Sequence, residues 1–358
     1  MNWNFLIFSV IKIAFGIGIL HAIAAYAVLV ERKVSAWIQD RVGPNRVAPP
    51  FVKYIPVVGH ILTRWGVFQP LADGLKFMLK EDFTPAGVHK AYFWLAPAVA
   101  MIPSILVIAV IPFGSQFGNQ QMVIANLNVG ILYTFGIVSL GVYGIVLAGY
   151  AANSKYPFFG GIRSSAQMIS YEIAMGMSVV PVFLIAGNLN LNTIISWQAQ
   201  HGWFVIYAPV SFIIFLIASF AETNRLPFDL PEAETELVGG YHTEYSSMKF
   251  ALFFLAEYSN MAAAAGMMTT LFFGGWTLPF WGLDQPAHGT GIAGIGIGIL
   301  HILIFLGKLC ALMTVFIWVR WMFPRFRYDQ LMDLGWRRFV PLALVNILIT
   351  AIVLWAKA

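Results

Sequence analysis

Apolar residues fall along this chain in eight long blocks: Phe5 to Val30, Tyr92 to Phe113, Val129 to Ala151, Gln167 to Gly187, Trp203 to Phe220, Phe250 to Phe272, Ile292 to Val319 and Phe339 to Trp355. Blocks of roughly 20 apolar residues match the length of a helix that crosses a hydrocarbon core. The pattern therefore predicts an all-α polytopic membrane protein, one membrane domain over residues 1–358, with eight transmembrane helices. The first block begins within MNWNFLIFSVIK, which has neither a basic leader region nor a small-residue cleavage site, so it reads as a first membrane helix and not as a removed signal peptide.

The polar segments between the blocks orient them. Lys and Arg number nine in the first loop, two in the third, two in the fifth and five in the seventh, and the even loops hold none. Eighteen of the 21 basic residues thus lie in odd-numbered loops. Positive charge is retained on the cytoplasmic side, which predicts cytoplasmic odd loops and N- and C-termini on the non-cytoplasmic side.

The first cytoplasmic loop, residues 31–91, is long and charged. Phe68, Leu71, Leu75, Met78 and Leu79 recur at helical spacing opposite Asp73, Lys76 and Lys80, predicting an interfacial amphipathic helix. Gly43, Pro44, Pro49 and Pro50 predict a non-helical backbone just after the first span. Arg32, Lys33, Arg41 and Arg46 are suited to lipid phosphates or to an acidic partner surface.

The fifth loop, residues 221–249, is the strongest departure from an ordinary membrane protein. It carries Glu222, Asp229, Glu232, Glu234, Glu236 and Glu244, with Arg225 the one basic residue before Lys249. Carboxylates crowded beside a low-dielectric phase repel one another, so their protonation becomes mutually dependent, which is a proton-handling or charge-switch arrangement. Glu232 and Glu236, four apart, would share a helical face, with Glu234 turned away. Pro227 and Pro231 keep Arg225 to Pro231 irregular, and such backbone at membrane depth must line a cavity or be covered by protein. Glu172, in the first two turns of the fourth span, and Glu257, two turns into the sixth, add carboxylates at membrane depth on the same side. Intramembrane carboxylates are functional candidates. The last cytoplasmic loop covers residues 320–338.

Composition narrows the chemistry. Only 10% of residues are charged, against about 25% in soluble domains, and the mean hydropathy is +0.77. Cys310 is the single cysteine, so the chain can hold neither an internal disulfide nor a thiolate-ligated iron–sulfur cluster, and any redox centre must come from a partner. His21 and His301 lack the repeated spacing of a haem pair, and His242 with Glu244 is a weak metal signal. Gly294, Gly296 and Gly298 read as helix-packing glycines. Lys308, near mid-span, needs a partner or water, while Lys12 can snorkel.

The run ETNRLPFDLPEAETELVGGYHTEYSSMKFALFFLAEY, Glu222 to Tyr258, closely resembles a signature of the H-subunit family of bacterial NADH:quinone oxidoreductase, respiratory complex I, called subunit 1 in mitochondria. GVFQPLADGLK, Gly66 to Lys76, matches the other signature of that family, and ERKVSAWIQDRVGPNR, SKYPFFGGIRSSAQMISYE and RYDQLMDLGW match as well, so the resemblance covers nearly the whole chain. It implies a subunit of the bacterial cytoplasmic (inner) membrane that takes quinone as substrate and joins the membrane arm to partners carrying flavin and iron–sulfur clusters, with small and antiporter-like membrane subunits alongside. By motif position, Glu31, Arg32, Arg41, Arg225, Phe228 and Asp229 would lie at the quinone chamber. Glu172, Glu222, Glu232, Glu234, Glu236, Glu244 and Glu257 would form an acidic relay leading away from it. The segment Phe51 to Trp65 is longer than the family's usual spacing, and it is expected at the interface near the quinone entrance. A membrane-bound hydrogenase-type complex and a stand-alone ion transporter are the competing functions; the second usually shows two related halves, and the acidic loop has no second copy.

Overall fold

The computed structural model describes residues 3–50, 52, 55, 57–117, 120–231, 234–279, 285–286 and 292–357. Helix α1 (Trp3–Ile38) does not stop at Val30 but runs two further turns. Glu31 and Lys33 are thereby carried on the helix and buried, while Arg32 is exposed. Left-handed Asp40 and Gly43 (φ 55° and 73°) then turn the chain through the GPN stretch. The segment that follows contains α2 (Val58–Trp65), and the expected amphipathic helix forms as α3 (Gln69–Leu79) with Pro70 in its first turn. Leu71, Leu75, Met78 and Leu79 on α3 are all more than half exposed.

The next helices are α4 (Lys90–Leu106), α5 (Gly130–Ala151) and α6 (Lys155–Ala186), and a small antiparallel ribbon of β1 (Gln116–Phe117) and β2 (Gln120–Gln121) lies between the first two. Helix α6 corrects the expected third loop: NSKYPFFGGIRSS is helical from Lys155 onward. Pro157 falls in the first turn, where a missing N–H costs no bond. Glu172 consequently sits near the middle of a 32-residue helix, not in its first two turns.

Helices α7 (Leu191–His201), α8 (Phe204–Tyr207) and α9 (Pro209–Glu222) follow. Pro209 splits the expected fifth span, leaving α9 with 14 residues, about 21 Å of helix. Then come α10 (Glu234–Leu237), α11 (Ser247–Phe272), α12 (Ile292–Met322), α13 (Tyr328–Asp333) and α14 (Val340–Lys357), and a π-helical turn over Leu334–Phe339 joins the last two. Helix α11 is 26 residues long, yet Lys249, Glu257, Ser259 and Asn260 dilute its apolarity. Among the described residues six helical segments are long and apolar enough to cross a membrane: Ile7–Ile38, Lys90–Val110, Gly130–Ala151, Lys155–Ala186, Gly294–Met322 and Tyr328–Lys357.

Helix α11 lies inside the bundle. It packs against α1, α4, α9 and α12, and it can be polar because its neighbours cover it. One core joins Leu20 and Ala24 of α1 to Tyr171, Ile214, Met261 and Phe305; a second joins Phe93 and Ala100 to Ile145, Tyr245 and Phe253. Lys308, the costly mid-span cation, is accounted for by the turn after α11. Its Nζ donates to the carbonyls of Phe273, Gly275 and Thr277 at 2.6, 3.0 and 2.5 Å and lies 4.8 Å from the Trp203 ring. It neutralises the carbonyl end of α11, where a cation is favoured. Replacing Lys308 with methionine orphans these carbonyls and is expected to destabilise the protein by about 3 kcal/mol, read as a lowered thermal midpoint of the detergent-purified protein.

Candidate functional site

The C-terminal end of α9 and the irregular segment after it form a buried polar centre. Arg225 to Pro231 has no regular secondary structure, as the two prolines dictate, and it is covered: Arg225, Phe228, Asp229 and Leu230 are all buried. Gln167 of α6 replaces the missing ladder bonds, its Nε2 donating to the carbonyls of Ala221 (2.6 Å) and Phe228 (2.7 Å). The Phe228 ring stacks on Phe326 with centroids 5.3 Å apart and leans on Tyr171 at 5.8 Å. The backbone amide of Phe326 donates to the Pro227 carbonyl at 3.0 Å.

Arg225, 4% exposed, stands between two carboxylates from different helices. Its Nη1 is 3.3 Å from Glu31 Oε2 and its Nε is 2.7 Å from Glu257 Oε1. The guanidinium lies 4.2 Å over the ring of Tyr258, whose hydroxyl donates to Glu31 Oε2 at 2.7 Å. Arg320, at the end of α12, donates to the other Glu31 oxygen. Beside this group Arg325 Nη2 pairs with Asp229 Oδ2 at 3.1 Å. Burial works against the charge on Arg225, but Glu257, Tyr258 and Glu31 outweigh it and hold the guanidinium charged well above its usual range. Burial pushes the Asp229 carboxyl upward, against the pull of Arg325 and Arg320. Five side-chain atoms of this buried centre, Gln167 Oε1, Arg225 Nε and Nη2, Asp229 Oδ1 and Arg325 Nε, have no hydrogen-bond partner among the described residues, although Arg225 Nε is in ion-pair contact with Glu257.

The predicted residues separate into three groups. Glu31, Arg225, Phe228, Asp229 and Glu257 come together here, whereas Arg32 points outward to Asp73 at 2.7 Å and Arg41 is exposed. Glu222 is buried at the end of α9 and lines one small cavity with Thr223, Asn224, Tyr241, Glu257 and Asn260. Glu172 is partly buried on α6. Farther along the loop, Glu236 pairs with Arg163 at 2.6 Å on the surface, and Glu244 is partly buried in the turn after the Gly240–His242 segment. Glu234 begins α10; its side chain and the whole of Glu232 lie outside the described residues, so their predicted sharing of faces lies outside them too. Gly160 of α6 admits the 240–242 segment: a Cβ there would stand 2.8 Å from the Tyr241 amide nitrogen.

Four participants are not marked by the sequence pattern. Tyr258 is one aromatic residue at the end of a matched motif, Arg320 and Arg325 stand among the ordinary basic residues of a cytoplasmic loop, and Gln167 is one neutral side chain at the start of an apolar block. The signal for the arginines is arithmetic: the buried carboxylates outnumber Arg225, and buried charges need partners.

His242 packs against Phe250 and Phe254, at centroid separations of 5.2 and 6.0 Å, and burial pushes its imidazole down to about 4. An unfolded histidine takes up its proton at about pH 6.5. The stability that depends on neutral His242 is therefore present above that pH and is lost as pH falls toward about 4. The thermal midpoint is expected to drop between about pH 7.5 and about pH 5 by the equivalent of about 1–2 kcal/mol, and His242→Phe should flatten that dependence.

A family model described as NADH dehydrogenase matches residues 11–351. The H 1 subunit of NADH-quinone oxidoreductase from Geobacter metallireducens is 48% identical over 351 residues, 97% of this chain and 96% of that protein. The corresponding H 1 subunit from Cytophaga hutchinsonii is 46% identical over 335 residues, covering 92% of this chain and 91% of its own. NADH-quinone oxidoreductase subunit 8 of Rhodothermus marinus is 47% identical over 333 residues, 92% of each.

Proposed function

Because this chain belongs to the NADH dehydrogenase family and is a membrane subunit of NADH-quinone oxidoreductase, complex I, we propose that the Arg225–Asp229 segment forms the membrane-side wall of the quinone chamber. The observation that carries this is the set of buried polar atoms without hydrogen-bond partners among the described residues, Arg225 Nη2 and Asp229 Oδ1 among them, beside the Phe228–Phe326 stack. A donor, an acceptor and an aromatic wall suit a quinone headgroup, whose carbonyl oxygens accept hydrogen bonds and whose reduction takes up protons. Glu31 belongs to this wall through Arg225 and Tyr258; Arg32 and Arg41, facing outward, belong to its cytoplasmic approach.

Charge change at the headgroup is passed to Glu257 by its contact with Arg225, and from Glu257 to Glu222 across the cavity they share. Glu172 extends this relay on the α6 side, and Glu232, Glu234, Glu236 and Glu244 extend it along the loop toward the surface. Eight spans, counting α9 with α8 and the polar α11, with both termini on the non-cytoplasmic side, put the 31–91, 221–249 and 320–338 segments together on the cytoplasmic face of a bacterial inner membrane. There the flavin and iron–sulfur clusters of partner subunits would supply electrons, and small and antiporter-like subunits would receive the relay.

A photoreactive quinone analogue on the assembled complex tests the chamber. Its adduct is expected on the peptide containing Phe228 and to be competed away by quinone; labelling confined to other subunits or to the opposite end of α11 would refute the placement.

A further inference from the structure

Helix α2 presents an apolar face that nothing among the described residues covers. Val58, Ile61 and Trp65, on one side of this eight-residue helix, are 53%, 50% and 56% exposed. Their spacing at i, i+3 and i+7 aligns them on one stripe, while Gly59 and the half-buried Thr63 face the protein. The helix is held firmly. Lys33 of α1, itself 6% exposed, donates to the carbonyls of Arg64 (3.0 Å) and Val42 (3.1 Å), pinning the C-terminal end of α2 to the end of the membrane helix. Gly66 closes α2 in the left-handed conformation (φ 72°), where a Cβ would come within 2.6 Å of the Pro44 carbonyl.

We propose that α2 lies in the membrane surface, its Val58–Ile61–Trp65 stripe among the acyl chains and its basic neighbours on the headgroups of acidic phospholipid. Two observations select lipid as the occupant. The stripe continues the outer apolar surface of α1: Trp65 meets Trp37 edge-on at 6.5 Å, and Trp37 and Ile38, in the last turn of α1, are 55% and 52% exposed. Two tryptophans at the end of a membrane helix mark the depth where headgroups begin. The charge is also one-sided, because between Asp40 and Asp73 the sequence holds four basic residues and no acidic one. Arg64, at the flank of the stripe, and Arg46 are both exposed, as cations that bind lipid phosphates must be.

In the assembled complex, benzoylphenylalanine placed at Ile61 and reconstituted with phosphatidylcholine and phosphatidylglycerol should yield phospholipid adducts on the α2 peptide when irradiated, and the same group at exposed His60, one turn before Arg64 on the polar flank of the helix, should yield several-fold fewer. Arg64→Gln is expected to lower the phosphatidylglycerol share of those adducts about fivefold, the equivalent of about 1 kcal/mol for one basic residue at an anionic surface. A protein cross-link at position 61, equal lipid labelling at positions 60 and 61, or an Arg64→Gln variant with unchanged lipid preference would each overturn the proposal.

Discussion

Arg225→Met in the assembled complex is expected to abolish quinone reduction and to cost about 3–5 kcal/mol of stability, the loss typical of breaking a buried ion pair from one side. Methionine keeps much of the side chain's length and packing but removes the charge between Glu31 and Glu257. Glu31 retains Arg320 and the Tyr258 hydroxyl; Glu257 loses the cation that touches it. A second substitution separates charge from position: adding Glu257→Gln to Arg225→Met removes the stranded carboxylate and should recover most of the lost stability while leaving quinone reduction abolished. The cycle of the two single variants and the double variant, read by thermal midpoint and by inhibitor-sensitive NADH:quinone activity, measures that coupling directly. Additive stability losses would mean that the 2.7 Å contact contributes nothing, and full activity in Arg225→Met would remove this arginine from the chamber.

How far this centre can be read from the residues depends on what each residue's neighbours in sequence dictate. Pro227 and Pro231 forbid a helix whatever surrounds them, so an irregular, covered segment at Arg225 to Pro231 is legible and is found. The amphipathic spacing of α3 is legible for the same reason, being local. Helix ends are not. Apolarity stops at Val30, but α1 continues because Glu31, Arg32 and Lys33 are good helix formers with partners waiting in other elements, and the loss of apolarity is not the loss of helix. The same difference separates the expected third loop from the first turns of α6. Hydropathy also passes over the break at Pro209, which lies inside an apolar block. Pairings are hidden by distance along the chain: Arg320 meets Glu31 across 289 positions. Membership of the acidic set can be seen from charge alone, but its order in space cannot.

That spatial order carries the second large effect. Glu257→Gln preserves the size of the side chain and a hydrogen-bonding oxygen toward Arg225 but cannot ionise. If Glu257 passes the charge change at the headgroup to Glu222 through their shared cavity, electrons should still reach quinone in this variant while proton translocation is uncoupled. Protons moved per NADH oxidised should therefore fall clearly below the ratio of the unsubstituted complex. Glu222→Gln should reproduce the defect, because it removes the other carboxylate of the same cavity. Glu236→Gln should do less. Its carboxylate side chain is 58% exposed and pairs with Arg163 at the surface, where such contacts are worth about 0.2–1 kcal/mol. Parallel dye-quench and NADH-oxidation assays on the same proteoliposomes distinguish these outcomes. A ratio unchanged in both cavity variants would exclude the Glu257–Glu222 step, whereas equal loss in all three would place the controlling carboxylate along the loop toward the surface and not in the cavity beneath Arg225.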